Sequence, residues 1–167
     1  MRRRAISRYH REHPLIVELD GHVARLDYEP AESRTGLFGG NSNWRGPIWF
    51  PLNFLALESL RRLHACLGAR FTVECPTGSG VQAHLGEVAD EIERRLMKLF
   101  LLDPDRRRPI YGASALFQGD PAWRDHLLFH EYFDGDTGEG LGASHQTGWT
   151  ALAGALVANR RRARTTA

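Results

Sequence analysis

Leu85-Gly86-Glu87-Val88-Ala89-Asp90-Glu91-Ile92-Glu93-Arg94-Arg95-Leu96-Met97-Lys98-Leu99-Phe100 carries the cleanest periodicity in the chain. Leu85, Val88, Ala89, Ile92, Leu96, Leu99 and Phe100 recur at i, i+3, i+4 and i+7, the stripe of an amphipathic helix. Glu91, Arg94, Arg95 and Lys98 fall mostly on the wet side. Asp103-Pro104-Asp105 ends the helix.

Upstream, a second helix is predicted from Pro47 to about Leu67. Proline at a helix's first position gives up an N–H that would lack a partner anyway, and Pro51 falls early enough to be tolerated. Ile48, Leu52, Leu55, Leu60 and Leu63 are spaced as one apolar face, and Gly68 suits the C-cap. Phe71 to Gly80 reads as irregular. Downstream, Asp120 with Pro121 predicts a short helix to about Tyr132, then a glycine-dense loop from Phe133 to Gly142. A last helix starts near Thr147 and carries Trp149, Leu152, Ala153, Leu156 and Val157 on one face. Near the N-terminus, Ile6 to His13 suits a short helix. The Asp20-Gly21 pair between Leu15–Leu19 and His22–Tyr28 is a strong hairpin signal. Glu29 to Gly46 reads as an ordered loop. The expected class is all-α, with residues 1–167 as a single unit of about four helices and one small β-hairpin.

Composition agrees with a globular domain. The 167 residues are 42% apolar and 25% charged, with a formal net charge of +2, which excludes wholesale disorder. No apolar run approaches the roughly 20 residues that span a bilayer, and no apolar stretch follows Met1-Arg2-Arg3-Arg4 as a secretory signal would require. Two cysteines, Cys66 and Cys75, are too few for a disulfide framework, so a reducing, cytoplasmic setting is expected. The arginine-rich ends could meet polyanions, but nearly every cation in the chain is arginine, and no run interleaves aromatics with cations. Neither nucleic acid nor a membrane is the expected partner.

Several long loops hold Trp, Arg, Asn, Glu and His, and such loops are usually functional. Asn41-Ser42-Asn43-Trp44-Arg45-Gly46-Pro47-Ile48-Trp49 sets two indoles, a guanidinium and two amides at the mouth of a helix. Indole faces suit sugar rings, and Arg and Asn donate to hydroxyls. Equally, Trp44 and Trp49 could anchor a core while Arg45 pairs with a carboxylate. In His130-Glu131-Tyr132-Phe133, Glu131 stands where an apolar segment meets the glycine loop. A carboxylate set against aromatics is partly desolvated and becomes a usable proton acceptor near neutrality; the plainer reading is an exposed helix-end glutamate. Asp134 to Glu139 departs from a calcium loop, and Gly138, Gly140 and Gly142 follow no parallel strand, so they make no dinucleotide fingerprint. In Gly142-Ala143-Ser144-His145-Gln146-Thr147-Gly148-Trp149-Thr150, His145, Gln146 and Trp149 could face a ligand, although Trp149 is as well placed to begin the helix's core face. His84, His126, His130 and His145 lack metal-ligand spacing. Neither metal nor cofactor is expected.

Asn43-Trp44-Arg45-Gly46-Pro47-Ile48-Trp49, His130-Glu131-Tyr132 and His145-Gln146-Thr147-Gly148-Trp149-Thr150, in that order, resemble the C-terminal part of glycoside hydrolase family 63 and the related mannosylglycerate-hydrolase-type glucosidases. The resemblance implies an (α/α)6 toroid, of which this chain would be a partial arc, an inverting mechanism and an α-glucoside-type carbohydrate substrate. It implies that Glu131 is the general base, that Asn43, Trp44, Arg45, Gly46 and Trp49 line the sugar pocket with His145, Gln146 and Trp149 as further substrate-binding residues, and that Gly148 to Thr150 pack beside the base. The family's general acid is an Asp well upstream, so its counterpart would sit in an upstream half of the enzyme. The alternatives are a non-catalytic carbohydrate-binding remnant and a basic helical nucleic-acid-associated protein.

Overall fold

The computed structural model describes residues 12–27 and 47–165. The N-terminal helix expected over Ile6–His13 and the loop Glu29–Gly46 fall mainly outside them, as do Asn43, Trp44, Arg45 and Gly46.

Strands β1 (Leu15–Leu19) and β2 (His22–Leu26) form the expected antiparallel hairpin, Leu19 opposite His22. Asp20 (φ 48°) and Gly21 (φ 77°) both take positive φ, as a two-residue type I′ connection demands.

Helix α1 spans Phe50–Leu67 and begins three residues later than the proline signal predicts. Ile48 is held extended, exchanging two backbone hydrogen bonds with Phe133, from Ile48 N at 2.7 Å and from Phe133 N at 3.0 Å. The helix therefore starts after Trp49, with Pro51 in its first turn. Gly68 closes it at φ 72° and donates its N–H to the His64 carbonyl. The buried side is Phe50 and Leu57, whereas Leu52, Leu55 and Leu63 face outward, opposite to the expected apolar face. The helix is apolar nearly all round, so spacing alone could not choose its inner side.

The segment read as irregular is a second hairpin, β3 (Thr72–Glu74) with β4 (Gln82–His84). Its loop is drawn in by the Glu74 carboxylate, which accepts the Gly80 N–H at 2.6 Å. Hydrogen bonds from Gly80 and Gly78 hold that carboxyl below its ordinary range.

Helix α2 (Leu85–Lys98) follows directly and matches the expected stripe. His84 caps it: Nδ1 accepts the Glu87 N–H at 3.1 Å, and Glu87 accepts the His84 N–H at 2.8 Å. After a turn of 3-10 helix at Pro109–Tyr111 comes α3 (Ala115–Gly119), with Ser114 as its N-cap.

The helix predicted over Asp120–Tyr132 does not form. Asp120 closes single turns with Ala122, Trp123 and Arg124, His126 closes one more on Trp123, and from Phe129 onward the backbone partners lie elsewhere in the chain. Gln146 N–H donates to the Phe129 carbonyl at 2.7 Å, Glu131 N–H to Ala143 at 2.9 Å, and Phe133 pairs with Ile48. Tyr132–Phe133 is strand β5, antiparallel to β6 (Gly140–Leu141), so the glycine-dense loop is a third hairpin. Short helix α4 (Thr147–Thr150) and the longer α5 (Leu152–Thr165) finish the described chain.

The fold class expected from sequence is therefore corrected. The architecture mixes helices with three antiparallel hairpins, and it is neither all-α nor an arc of an (α/α)6 toroid. Its core joins α1, α2 and α5 to the β5 strand through Phe50, Leu57, Leu96, Phe100, Phe133 and Leu156. Phe100 meets Phe50 and Phe133 edge-on at 6.0 and 5.9 Å. Buried beside them, Glu93 of α2 is clamped by Arg61 of α1 and by Arg160 of α5 at 2.5 Å, which pins the three helices together. Among the described residues no helix is long and apolar enough to cross a membrane.

Candidate functional site

The extended segment 129–133, which carries Glu131, is held by neighbours on both sides. Phe129 pairs with His145 in a parallel bridge, Glu131 with Ala143, and Phe133 with Ile48. This pairing brings the His130-Glu131-Tyr132 stretch, the His145–Thr150 stretch and Trp49 into one neighbourhood, although they are far apart in sequence.

Its centre is an aromatic cluster. Trp49 stacks on Tyr132 with ring centroids 4.9 Å apart and meets Trp149 edge-on at 6.3 Å. Trp49 is 4% exposed and also supplies the carbonyl that accepts from Asn53, so it serves as an anchor at the foot of α1. Trp149 is half-buried, and its indole Nε1–H is enclosed with no hydrogen-bond acceptor. A buried donor left unpaired is costly.

Glu131 lies at the edge of this cluster, partly exposed. Its Oε2 accepts the Ala143 N–H at 3.4 Å, and the carboxylate rests over Gly142. A Cβ at residue 142 would stand 2.8 Å from Oε2 and 2.7 Å from the Tyr132 ring, and Gly142 also takes φ +67°. Only glycine fits there without displacing both side chains. Gly140 is equally close to its neighbour, since a Cβ there would fall 2.2 Å from the His130 ring. Gly140 and Gly142 thus make room for the side chains of His130, Glu131 and Tyr132.

His130 is half-buried, its Nδ1 unpartnered and its ring edge-on to Phe133. Burial, reinforced by the charge of His145, pulls its pKa below the ordinary value, so the ring stays neutral at neutral pH. The Thr150 hydroxyl donates to the His130 carbonyl and ties α4 to this segment. His145 and Gln146 are exposed. Gln146 acts mainly through its backbone, accepting the Trp149 and Thr150 N–H groups at 3.0 and 2.9 Å.

Of the residues expected at the site, the structure gathers Glu131, Trp149, His145, Gln146 and, through Tyr132, Trp49. The other four precede residue 47, outside the described residues. Gly142, which leaves room for Glu131 and the Tyr132 ring, was not among the expected site residues. The glycine spacing opposite an aromatic strand is the signal that could have found it. Among the described residues no group of three or more His, Cys, Asp or Glu is arranged to hold a metal ion.

No family model matches the chain, and no solved structure matches it. Over 151 residues it is 52% identical to the uncharacterized protein YMR196W of Saccharomyces cerevisiae, a match covering 89% of this chain and 14% of that protein. The chain thus spans a small part of the length of the relative it matches.

Proposed function

We propose that this chain supplies the general base and part of the sugar-binding wall of an inverting glycoside hydrolase acting on α-glucoside-type sugars, as its resemblance to glycoside hydrolase family 63 implies. The observation that carries the reading is Glu131, a partly exposed carboxylate fixed over Gly142 beside the Trp49–Tyr132–Trp149 cluster. In this reading Glu131 takes a proton from water while that water's oxygen attacks the anomeric carbon. The bond to the leaving oxygen breaks on the opposite side of the ring. The half-buried Trp149 offers its ring face to the sugar.

Inverting hydrolysis also needs a general acid, with the two carboxyls roughly 6.5–9.5 Å apart. In this reading the acid comes from outside this chain, as the resemblance implies. A substrate whose leaving group departs without protonation bypasses that need, which gives the test. The 167-residue chain is expected to leave ordinary α-glucosides intact but to hydrolyse α-glucosyl fluoride, releasing fluoride and β-glucose. Glu131→Gln should remove this turnover. Saturable sugar binding with no fluoride release would leave a carbohydrate-binding remnant, and neither binding nor turnover would end the carbohydrate reading.

A further inference from the structure

The residues following α2 and α3 enclose a cavity of about 200 Å³ that shares no lining residue with the surroundings of Glu131. Three guanidinium groups line it, those of Arg106, Arg108 and Arg124, against a single carboxylate, Asp125. Arg108 is committed to the fold: it donates to the Phe100 carbonyl at 2.6 Å and the Arg124 carbonyl at 3.3 Å, and pairs with Asp125 at 3.2 Å. Arg124 reaches the same carboxylate at 3.4 Å. The Arg106 guanidinium is exposed and bonds to no described residue, although its backbone is fixed in a turn by Asp103. Arg106 also takes φ 58°, a conformation that side-chain-bearing residues rarely adopt.

The lining groups therefore carry three positive charges against one negative. A carboxylate ligand would leave this surplus half answered, whereas a phosphate monoester carries about −1.5 to −2 near pH 7 and matches it. Its oxygens also suit the arginine fork. A second wall is aromatic. Tyr111 and Phe117 line it and stack at 5.5 Å. The Tyr111 hydroxyl is already used on the His126 carbonyl at 2.9 Å, so this wall offers apolar surface.

We propose that this cavity binds the phosphate group of a small phosphorylated ligand, held by Arg106 and Arg124 over the fixed Arg108, with the ligand's organic part against the aromatic wall. The proposal is independent of the hydrolase reading. It is tested by calorimetric titration of the full chain with inorganic phosphate and with glucose 6-phosphate, at ionic strength held constant with sodium chloride. Saturable binding of both is expected, weakened about ten-fold by Arg106→Gln or Arg124→Gln, the loss of one charge-assisted contact. Arg62→Gln, which removes an equal charge from an exposed site on α1, should leave binding unchanged. Phe117→Ala should weaken glucose 6-phosphate more than phosphate. Absence of saturable phosphate binding, or equal weakening by Arg62→Gln, overturns the proposal.

Discussion

At the residue scale, the sharpest constraint is steric. Gly142 and Gly154 are both exposed, yet a methyl group at one would overlap Glu131 and Tyr132, and at the other would meet nothing. Gly142→Ala is expected to cost about 1–3 kcal/mol, from overpacking and an unfavourable φ. Gly154→Ala, inside α5, should stabilise by up to about 1 kcal/mol, because alanine is the better helix former. Urea denaturation of the two variants checks the contrast, and equal effects would mean that Glu131 is not held as described. His130 adds a pH signature. Its folded pKa lies below 6.5, so between that lowered value and 6.5 the unfolded chain binds more protons than the native one. Its contribution is whole above about pH 6.5 and is lost as the pH falls toward the folded value. His130→Gln should flatten the stability–pH curve in that window, as read from thermal melts.

At the scale of elements, legibility followed how local the cause was. Helix α2 could be read from its own residues because its apolar stripe lies within it, although it stops at Lys98, short of the Asp103-Pro104-Asp105 end that the sequence suggests. The Asp20-Gly21 hairpin was legible for the same reason. The strand at Tyr132–Phe133 was not, since its backbone partners are Ile48, Leu141 and Gly140, and apolar spacing within 127–133 fits a helix as well. Glu131 and Trp149 stood out by residue type, but the part played by Gly142 required knowing that residues 131 and 143 pair. Helix α2 also has an acid-sensitive surface. Hydrogen bonds from Arg94, joined by Arg95 and working against some burial, hold the Glu91 carboxyl down at about 2. As pH falls from 4.5 toward 2, the unfolded chain takes up the proton first, so stability that is whole above 4.5 drains away across that window. Because the group is solvent-accessible, the effect is about 1 kcal/mol or less. Glu91→Gln should make the acid limb of the denaturation-midpoint curve shallower, and an unchanged limb would show that these ion pairs contribute nothing.

At the scale of the whole molecule, one buried charge joins elements that are distant in sequence. Glu93 is 1% exposed, whereas the Arg61 and Arg160 side chains that answer it are 30% and 47% exposed. Burial pulls the Arg61 pKa down, but its hydrogen bonds and attraction to Glu93, with Asp90 and Glu58 adding, raise it overall. The clamp is therefore asymmetric. Replacing Glu93 frees two arginines that can turn to water, and a well-packed apolar residue avoids burying any charge. Replacing both arginines strands a carboxylate inside the junction of α1, α2 and α5. Glu93→Met is expected to be close to neutral, within about 1–2 kcal/mol. The double variant Arg61→Met with Arg160→Met should lose about 3–5 kcal/mol. Denaturant unfolding orders the two. If the arginine pair proves the less costly loss, Glu93 reaches water in the native state, and the three long helices are held by Phe50, Phe100, Phe133 and their apolar neighbours alone.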